Sequence, residues 1–295
     1  MTDVICLNDK YSTTRLVTKE KPEIVNNNED KFGMVLFLPE GERRQGEGGL
    51  RTKGYFKKSY DDKPLITIVT VVFNGEQFLE ETIQSVINQT YDNVEYIIID
   101  GGSTDGTVDI VKKYEDRIDY WVSEKDTGIY DAMNKGIKVS TGTWVNFMNA
   151  GDKFVNLNVL KNINFNLYNK YVLIYGNKIQ ENKIIYPMKI HKLELGEIMA
   201  CHQSMFFNKA ILKNELEYQI KYKIYGDYEL VNRIYIKFKY LIKYIDLEIA
   251  IFQGGGISSK TSWQKRKDKF IALYEHYGIL GLLKGIVYRI IKGIL

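Results

Sequence analysis

The sequence is short of sulfur, of concentrated charge and of long uncharged apolar stretches, and each shortage excludes something. Its two cysteines, Cys6 and Cys201, cannot build a disulfide framework and sit in no paired spacing that would suggest zinc, so a reducing, cytoplasmic setting is expected. The opening residues MTDVICLNDKYSTTR include acids and hold no apolar core of signal-peptide length, so secretion is not expected. No run reads as long and uncharged enough to cross a bilayer. A net charge of +4 is too mild to imply nucleic acid. What the chain does have is apolar material. With 295 residues, 44% hydrophobic and 13% aromatic, it can bury a full core, as one large or two modest domains, and is neither disordered nor fibrous. Its 22 tyrosines are spread along the chain and read mostly as packing.

Three regions follow one another. Residues 1–62 are polar and weakly periodic, with the glycine-rich, basic stretch GERRQGEGGLRTKGYFKKSYDDK, and read as an N-terminal extension, partly loop. From Pro64 the pattern sharpens. LITIVTVVF is a short β-rich apolar run, and in NGEQFLEETIQSVINQTY the residues Phe78, Leu79, Ile83, Val86 and Ile87 recur at helical spacing. VEYIIID is a second buried strand, after which GGSTDGTVDIVKKY turns tightly into a helix. IDYWVSE, the helix-like IYDAMNKGIKVS and the strand TWVNFMNA complete the alternation. Strands that are apolar throughout and separated by helices imply an α/β fold with a parallel sheet covered on both faces.

In such sheets ligands bind beyond the carboxyl ends of the strands. The first strand ends at Asn74-Gly75, the second at Asp100, the third near Glu124 to Asp126 and the fourth at Asn149 to Asp152, so carboxylates and amides gather on one rim. Singly, each has a plain reading: Asp100 and Asp105 as turn or N-cap residues, Asp152 as a loop aspartate. GGSTDG is no dinucleotide loop, because it lacks the G-x-G-x-x-G spacing and has an acid where phosphates would sit.

Four blocks in this order, ITIVTVVFNGEQFLEETIQSVINQTY, VEYIIIDGGSTDGT, DTGIYDAMNKGI and VNFMNAGD, resemble the bacterial family 2 glycosyltransferases with the GT-A fold. The resemblance covers Pro64 to about Gly255 and, more weakly, the tail. It implies an open, mostly parallel sheet flanked by helices, a Rossmann-like nucleotide-binding half at 63–152 and an acceptor and catalytic half at 153–255. A basic amphipathic helical tail follows at 256–295. It also implies a nucleotide-sugar donor, usually a UDP-sugar, with Mg²⁺ or Mn²⁺. By this resemblance Asp100 contacts the nucleotide base and Asn74 lies beside the nucleotide. Asp131 and Asn134, three apart and so on one helical face, come near the base and ribose. Asp152 matches the last acid of the metal-binding D-x-D element. Asn149 stands where an acid often does, so Asp152 is the metal ligand carried over and Asn149 stays with the nucleotide-sugar contacts.

The chemistory of such an element is general: a departing diphosphate gathers negative charge, and a hard divalent ion with oxygen ligands stabilises it. An inverting transfer also needs a base for the acceptor hydroxyl. Asp227 in IYGDYELVNRIY matches the late acid that the family places before a helix as base; on its own it reads as an N-cap, and Glu229 is the runner-up. His202, in ACHQSMFFNKAIL, resembles a family block near the donor sugar or diphosphate, where a lone histidine is otherwise structural. Tyr130 is assigned no role.

The tail, with Leu280, Leu283, Val287, Ile290, Ile291 and Ile294 punctuated by Lys284, Arg289 and Lys292, reads as an interfacial helix, or else as one that packs on the catalytic domain or a partner subunit. A membrane seat suits the family that the sequence resembles, and the resemblance implies a cytoplasmic enzyme, peripheral on the inner face of the cell membrane, that extends a lipid-linked glycan in building a surface polysaccharide such as O-antigen or capsule. The alternatives are a degenerate nucleotide-sugar-binding scaffold, motivated by Asn149, and a sugar nucleotidyltransferase, disfavoured because FNGEQFLEE is acidic where a triphosphate loop would be basic.

Overall fold

A computed structural model describes residues 4–24, 33–41, 43–254 and 263–293. A short edge strand, β1 (Gly46–Gly48), precedes the alternating core: β2 (Ile66–Val72), α1 (Leu79–Ile87), β3 (Val94–Asp100), α2 (Thr107–Lys113), β4 (Tyr120–Ser123), α3 (Ile129–Val139) and β5 (Trp144–Phe147). Then come β6 (Lys153–Phe154), α4 (Val159–Asn162), β7 (Leu173–Gln180), β8 (Lys183–Ile185), β9 (Met205–Asn208), α5 (Lys209–Leu212), α6 (Gly226–Phe238), β10 (Ile242–Ile251) and α7 (Trp263–Lys292).

The strands form one sheet in the order β1-β4-β3-β2-β5-β9-β7-β10-β6, with β8 beside β7. β4, β3, β2 and β5 run parallel, as do β7 and β10; β9 is antiparallel between β5 and β7, and β1 and β6 are antiparallel at the two edges. The GT-A expectation of a mostly parallel open sheet flanked by helices therefore holds. Every residue of β2 and of β3 is buried. Alternate side chains serve opposite layers: Ile66, Ile68 and Val72 pack with Leu79, Ile83 and Val86 of α1, whereas Val69 and Val71 pack with Ala132, Met133 and Ile137 of α3. Each such aliphatic side chain contributes about 1.5–3 kcal/mol when fully buried, so the centre of the sheet is a stiff support for whatever its rim carries.

The segment before Pro64 is bound into this sheet rather than lying over it. β1 pairs with β4, with Glu47 opposite Val122. The Arg51 guanidinium, 3% exposed, lies 2.5 Å from Glu95 and also donates to the carbonyls of Leu36 and Val139. Ser12 Oγ reaches the carbonyls of Val86 and Ile87 in the last turn of α1. The weak periodicity of this stretch hid an order made by long-range polar contacts.

The tail differs from expectation in two ways. By length and composition alone α7 is long and apolar enough to cross a membrane: it has 30 residues, and an 18-residue window averages a mean hydropathy of 1.3 with 22% of it buried. The charges that suggested otherwise, Lys284, Arg289 and Lys292, are spaced widely enough that this window holds no more than two charged residues. Second, Gly278 breaks the helix with φ 64° and ψ −164°, a conformation open to glycine and strained for other residues. Before the break, Ala272 and Leu273 are fully buried and the buried Asp268 carboxylate accepts from the N–H groups of Lys223 and Ile224, at 2.8 and 2.9 Å. After it, Gly281 and Gly285 face inward while Leu280, Leu283, Ile290 and Ile291 are exposed. Residues 255–262, the expected junction with the tail, and Ile294 lie outside the described residues.

Candidate active site

The carboxyl ends of β5, β7 and β10 and the amino end of the antiparallel β9 all meet at one rim. The loop after β5 turns at Gly151, whose φ of 99° favours glycine, and is pinned by α1: Thr82 Oγ1 donates to the Asp152 carbonyl and accepts from Gly151 N–H. The Asp152 carboxylate, 7% exposed, accepts from the Gln203 side-chain amide and from Gln253 N–H at 3.1 Å. Burial pushes its pKa up, against the pull of Gln253 N–H, His202 and Gln203.

A continuous chain of contacts leads from this loop. The Asn149 amide nitrogen lies 2.9 Å from His202 Nε2, and His202 Nδ1 lies 2.9 Å from Asp227 Oδ2. The Tyr130 hydroxyl completes it, 2.5 Å from Asp227 Oδ1. Tyr130 is buried and stacks on Tyr218 with ring centroids 5.2 Å apart. Burial by itself would raise the Asp227 pKa, but the charge and hydrogen bond of His202 and the hydrogen bond from Tyr130 outweigh it and hold the group below its ordinary value. Burial likewise opposes the His202 cation, and the Asp227 and Asp152 charges reverse that, raising its pKa.

Asp227 lies in the first turn of α6 but does not cap it: the capping position is Tyr225, and no side chain closes that end. Glu229, the runner-up, is fully buried and turned to Arg233, Gln219 and His276, away from His202.

The other expected residues form two further groups. Asp100 is buried at the end of β3, opposite Ser123 in the ladder with β4, and its carboxylate accepts from the Ser123 hydroxyl and from the hydroxyl and N–H of Ser103. Asn74, exposed after β2 with φ 50°, accepts from Thr104 N–H and donates its own N–H to Ser103 Oγ, so the loops after β2 and β3 are stitched together. Asp105 does turn work, accepting from Thr107 N–H. Asp131 accepts from Thr127 N–H, and Asn134 spends its amide on both backbone groups of Tyr218. Asp131 and Asn134 line a cavity of about 670 Å³ closed by residues 38–41 and 217–221, while His202 and Asp227 line a separate one of about 440 Å³. The structure thus gathers Asn149, Asp152, His202 and Asp227 in one cluster. It sets Asn74 with Asp100 in another, and turns the Asn134 amide to a structural clamp.

Sequence reading missed Gln203 and Gln253 as partners of Asp152 and left out Tyr130. Tyr130 and Asp227 are far apart in the chain, and only the packing of α3 against α6 joins them.

Among the described residues no cluster of three or more acids, histidines or cysteines is arranged to hold a metal ion. Hard oxygen donors are nevertheless present beside the Asp152 carboxylate, because the side-chain oxygens of Asn149 and Gln203 are buried without a hydrogen-bond partner. Oxygens of this kind suit Mg²⁺ or Mn²⁺, with substrate and water completing the shell.

An open α/β sheet with such a cluster at its rim is the layout of a GT-A glycosyltransferase. Comparison with known proteins specifies the family: the model of glycosyl transferase family 2 matches residues 67–224, more than half of the chain, and the chain belongs to that family and is a transferase. The PGL/p-HBAD biosynthesis glycosyltransferase of Mycobacterium tuberculosis is 26% identical over 223 residues, which cover 73% of this chain and 87% of that protein. An uncharacterized glycosyltransferase of Haemophilus influenzae is 35% identical over 117 residues, 39% of this chain and 47% of that one. In fold, the chain is similar to S. aureus TarS 1-349 in complex with UDP, with a TM-score of 0.59 at 16% identity over 77% of this chain and 72% of TarS 1-349. It is also similar to the mannosyltransferase PcManGT from Pyrobaculum calidifontis in complex with GDP-Man and Mn²⁺, with a TM-score of 0.53 at 14% identity over 79% of this chain and 77% of that one.

Proposed function

We propose that the enzyme transfers a sugar with inversion from a nucleotide-sugar, a UDP-sugar in the first instance, to a glycan acceptor, with Asp227 as base and Asp152 at the diphosphate. The observation that carries this reading is His202, which touches the Asn149–Asp152 loop on one side and Asp227 on the other, 2.9 Å from each partner. It puts the group that would meet the leaving diphosphate next to the group that would meet the attacking hydroxyl.

In the reaction the acceptor oxygen bonds to the anomeric carbon, its proton passes to Asp227 Oδ, and the bond from that carbon to the diphosphate oxygen breaks. A base has to be ionised beforehand, and the lowered pKa of Asp227 meets that need at neutral pH. Tyr130 and His202 hold the two carboxylate oxygens in place, which fixes the direction in which a lone pair faces the acceptor. A divalent cation held by Asp152 with the Asn149 and Gln203 side-chain oxygens would supply positive charge against the departing diphosphate. Asn74 and Asp100, on the stitched loops after β2 and β3, serve the nucleotide, and Asp131, which lines the cavity of about 670 Å³, serves the base and ribose by the family resemblance.

Calorimetric titration of UDP, GDP, dTDP and CDP, with and without Mn²⁺, tests this on the wild type and on Asp152→Asn. We expect one nucleotide to bind in a manganese-dependent way and the variant to lose that dependence. Binding of none, or equal binding by the variant, overturns the assignment.

The acceptor is proposed to be lipid-linked, in surface polysaccharide synthesis of the O-antigen or capsule type at the inner face of the cell membrane. The support is the second half of α7, where Leu280, Ile290 and Ile291 are 69%, 62% and 79% exposed beside Lys284 and Lys292. Deleting residues 279–295 should move the protein from the membrane to the soluble fraction; unchanged fractionation removes this part of the proposal.

A further inference from the structure

Lys178 sits near the carboxyl end of β7, opposite Ile185 of β8 and Ala250 of β10, and lines the cavity of about 440 Å³ together with His202, Gln203, Asp227 and Phe252. The lysine is half-buried, and its ammonium stands 4.3 Å from the centroid of the Phe252 ring. Among the described residues no carboxylate lies within ion-pair distance of it. Two other lysines are placed differently: Lys135 of α3 holds Glu124 at 2.8 Å and Lys153 of β6 holds Glu81 at 2.7 Å. A cation drawn partly out of water with only an aromatic face for company is incompletely compensated.

Its position relative to Asp152 narrows what would complete it. Phe252, under the ammonium, is followed by Gln253, whose N–H binds the Asp152 carboxylate, so lysine and aspartate rest on consecutive residues. The charge of Lys178 is felt at Asp152. Two carboxylates, Asp152 and Asp227, stand at this site, Asn149 brings no charge, and the basic residues that line the cavity are His202, Lys178 and Lys265. An ammonium on a flexible stem suits phosphate as a point charge.

We propose that Lys178 is a phosphate-binding, specificity-determining residue of this cavity. The proposal rests on the reading of the rim as the nucleotide-sugar site and adds to it a cation that no expected motif contained. The phosphate has two possible sources, the diphosphate of the donor or a phosphate that joins the acceptor to its carrier.

The test compares full-length wild type, Lys178→Met and Lys178→Arg, with Lys178→Gln as the neutral variant if the methionine form does not fold. Calorimetry uses three probes: UDP with Mn²⁺, inorganic pyrophosphate, and inorganic phosphate added to protein already saturated with UDP. Loss of a charge-assisted contact should weaken the affected probe roughly ten- to hundredfold in the neutral variant, while the arginine form stays within about threefold by keeping the charge. Weakened UDP and pyrophosphate assign the donor as the source. Unchanged UDP with lost phosphate binding assigns the acceptor. Pyrophosphate binding that depends on Lys178 in a protein that binds no nucleotide keeps the phosphate site and sinks the nucleotide-sugar reading instead. Equal affinities of wild type and neutral variant for all three probes, or no binding of any probe by wild type, overturn the proposal.

Discussion

Replacing Asp227 by asparagine separates charge from shape at the centre of the cluster. The amide can still accept from Tyr130, 2.5 Å away, and can offer an N–H to His202 Nδ1, 2.9 Å away, so the packing around α6 has no reason to change. What disappears is the negative charge, and with it the proposed base. A positioned base accounts for about 10²–10⁴-fold in rate, which corresponds to about 2.7–5.4 kcal/mol of barrier. Exchanging charge-assisted hydrogen bonds for neutral ones costs about 1–2 kcal/mol of stability, or about 2–8 °C in melting temperature for a chain of this size. The stability difference also has a pH signature. Asp227 has a lowered pKa, so its contribution is present above the unfolded carboxylate value and is lost as pH falls through the lower folded value. His202 has a raised pKa, so its contribution is complete below its unfolded value of 6.5 and is lost as pH rises through the higher folded value. Wild type and variant should therefore differ most between the usual carboxylate range and pH 6.5, and less in alkali. Single-turnover transfer, nucleotide titration and melting curves at several pH values measure all three effects. Turnover within tenfold of wild type with nucleotide binding intact would remove Asp227 as base.

Two further substitutions probe the supports. Tyr130→Phe deletes one donor to Asp227, which should slow transfer about tenfold and, because the carboxylate is then less stabilised, move the acid limb of the pH–rate profile to higher pH; an unmoved limb rejects the contact as a tuning element. Arg51→Met strands the buried Glu95 without its cation and should cost about 3–5 kcal/mol in urea denaturation. A loss under about 1 kcal/mol would mean that the N-terminal segment is not anchored by this pair.

The sequence was most legible where local and global preferences agree. VEYIIID is a strand in any parallel sheet, and β3 occupies those seven residues. The rim was legible through motif order, because strand ends in this topology fall on one side. The contacts that join Asp152 to Gln203 and Gln253, and Asp227 to Tyr130, were not, since each pairs residues brought together only by the antiparallel β9, by β10 or by α6. Asn134 shares a helix with Asp131, as the spacing indicated, but the contact of its carboxamide with the peptide of Tyr218 was not legible, because the two are joined only by tertiary packing. The N-terminal segment had no periodicity to read, because Arg51 and Ser12 act through single polar contacts to distant backbone and to Glu95.

Asp268 in α7 bears on how small this enzyme can be made. Its carboxylate receives the N–H groups of Lys223 and Ile224, and the Ile224 carbonyl in turn receives the Tyr130 hydroxyl, three residues before Asp227. A fragment trimmed to the family-matched stretch, residues 67–224, or even to the end of β10, would leave those amides without their acceptor and the Tyr130 support on an untethered loop. The first half of α7 thus braces the loop that leads into Asp227 from a distance, and a chain trimmed after β10, which keeps Asp227, should regain activity when a peptide spanning residues 263–277 is supplied in trans.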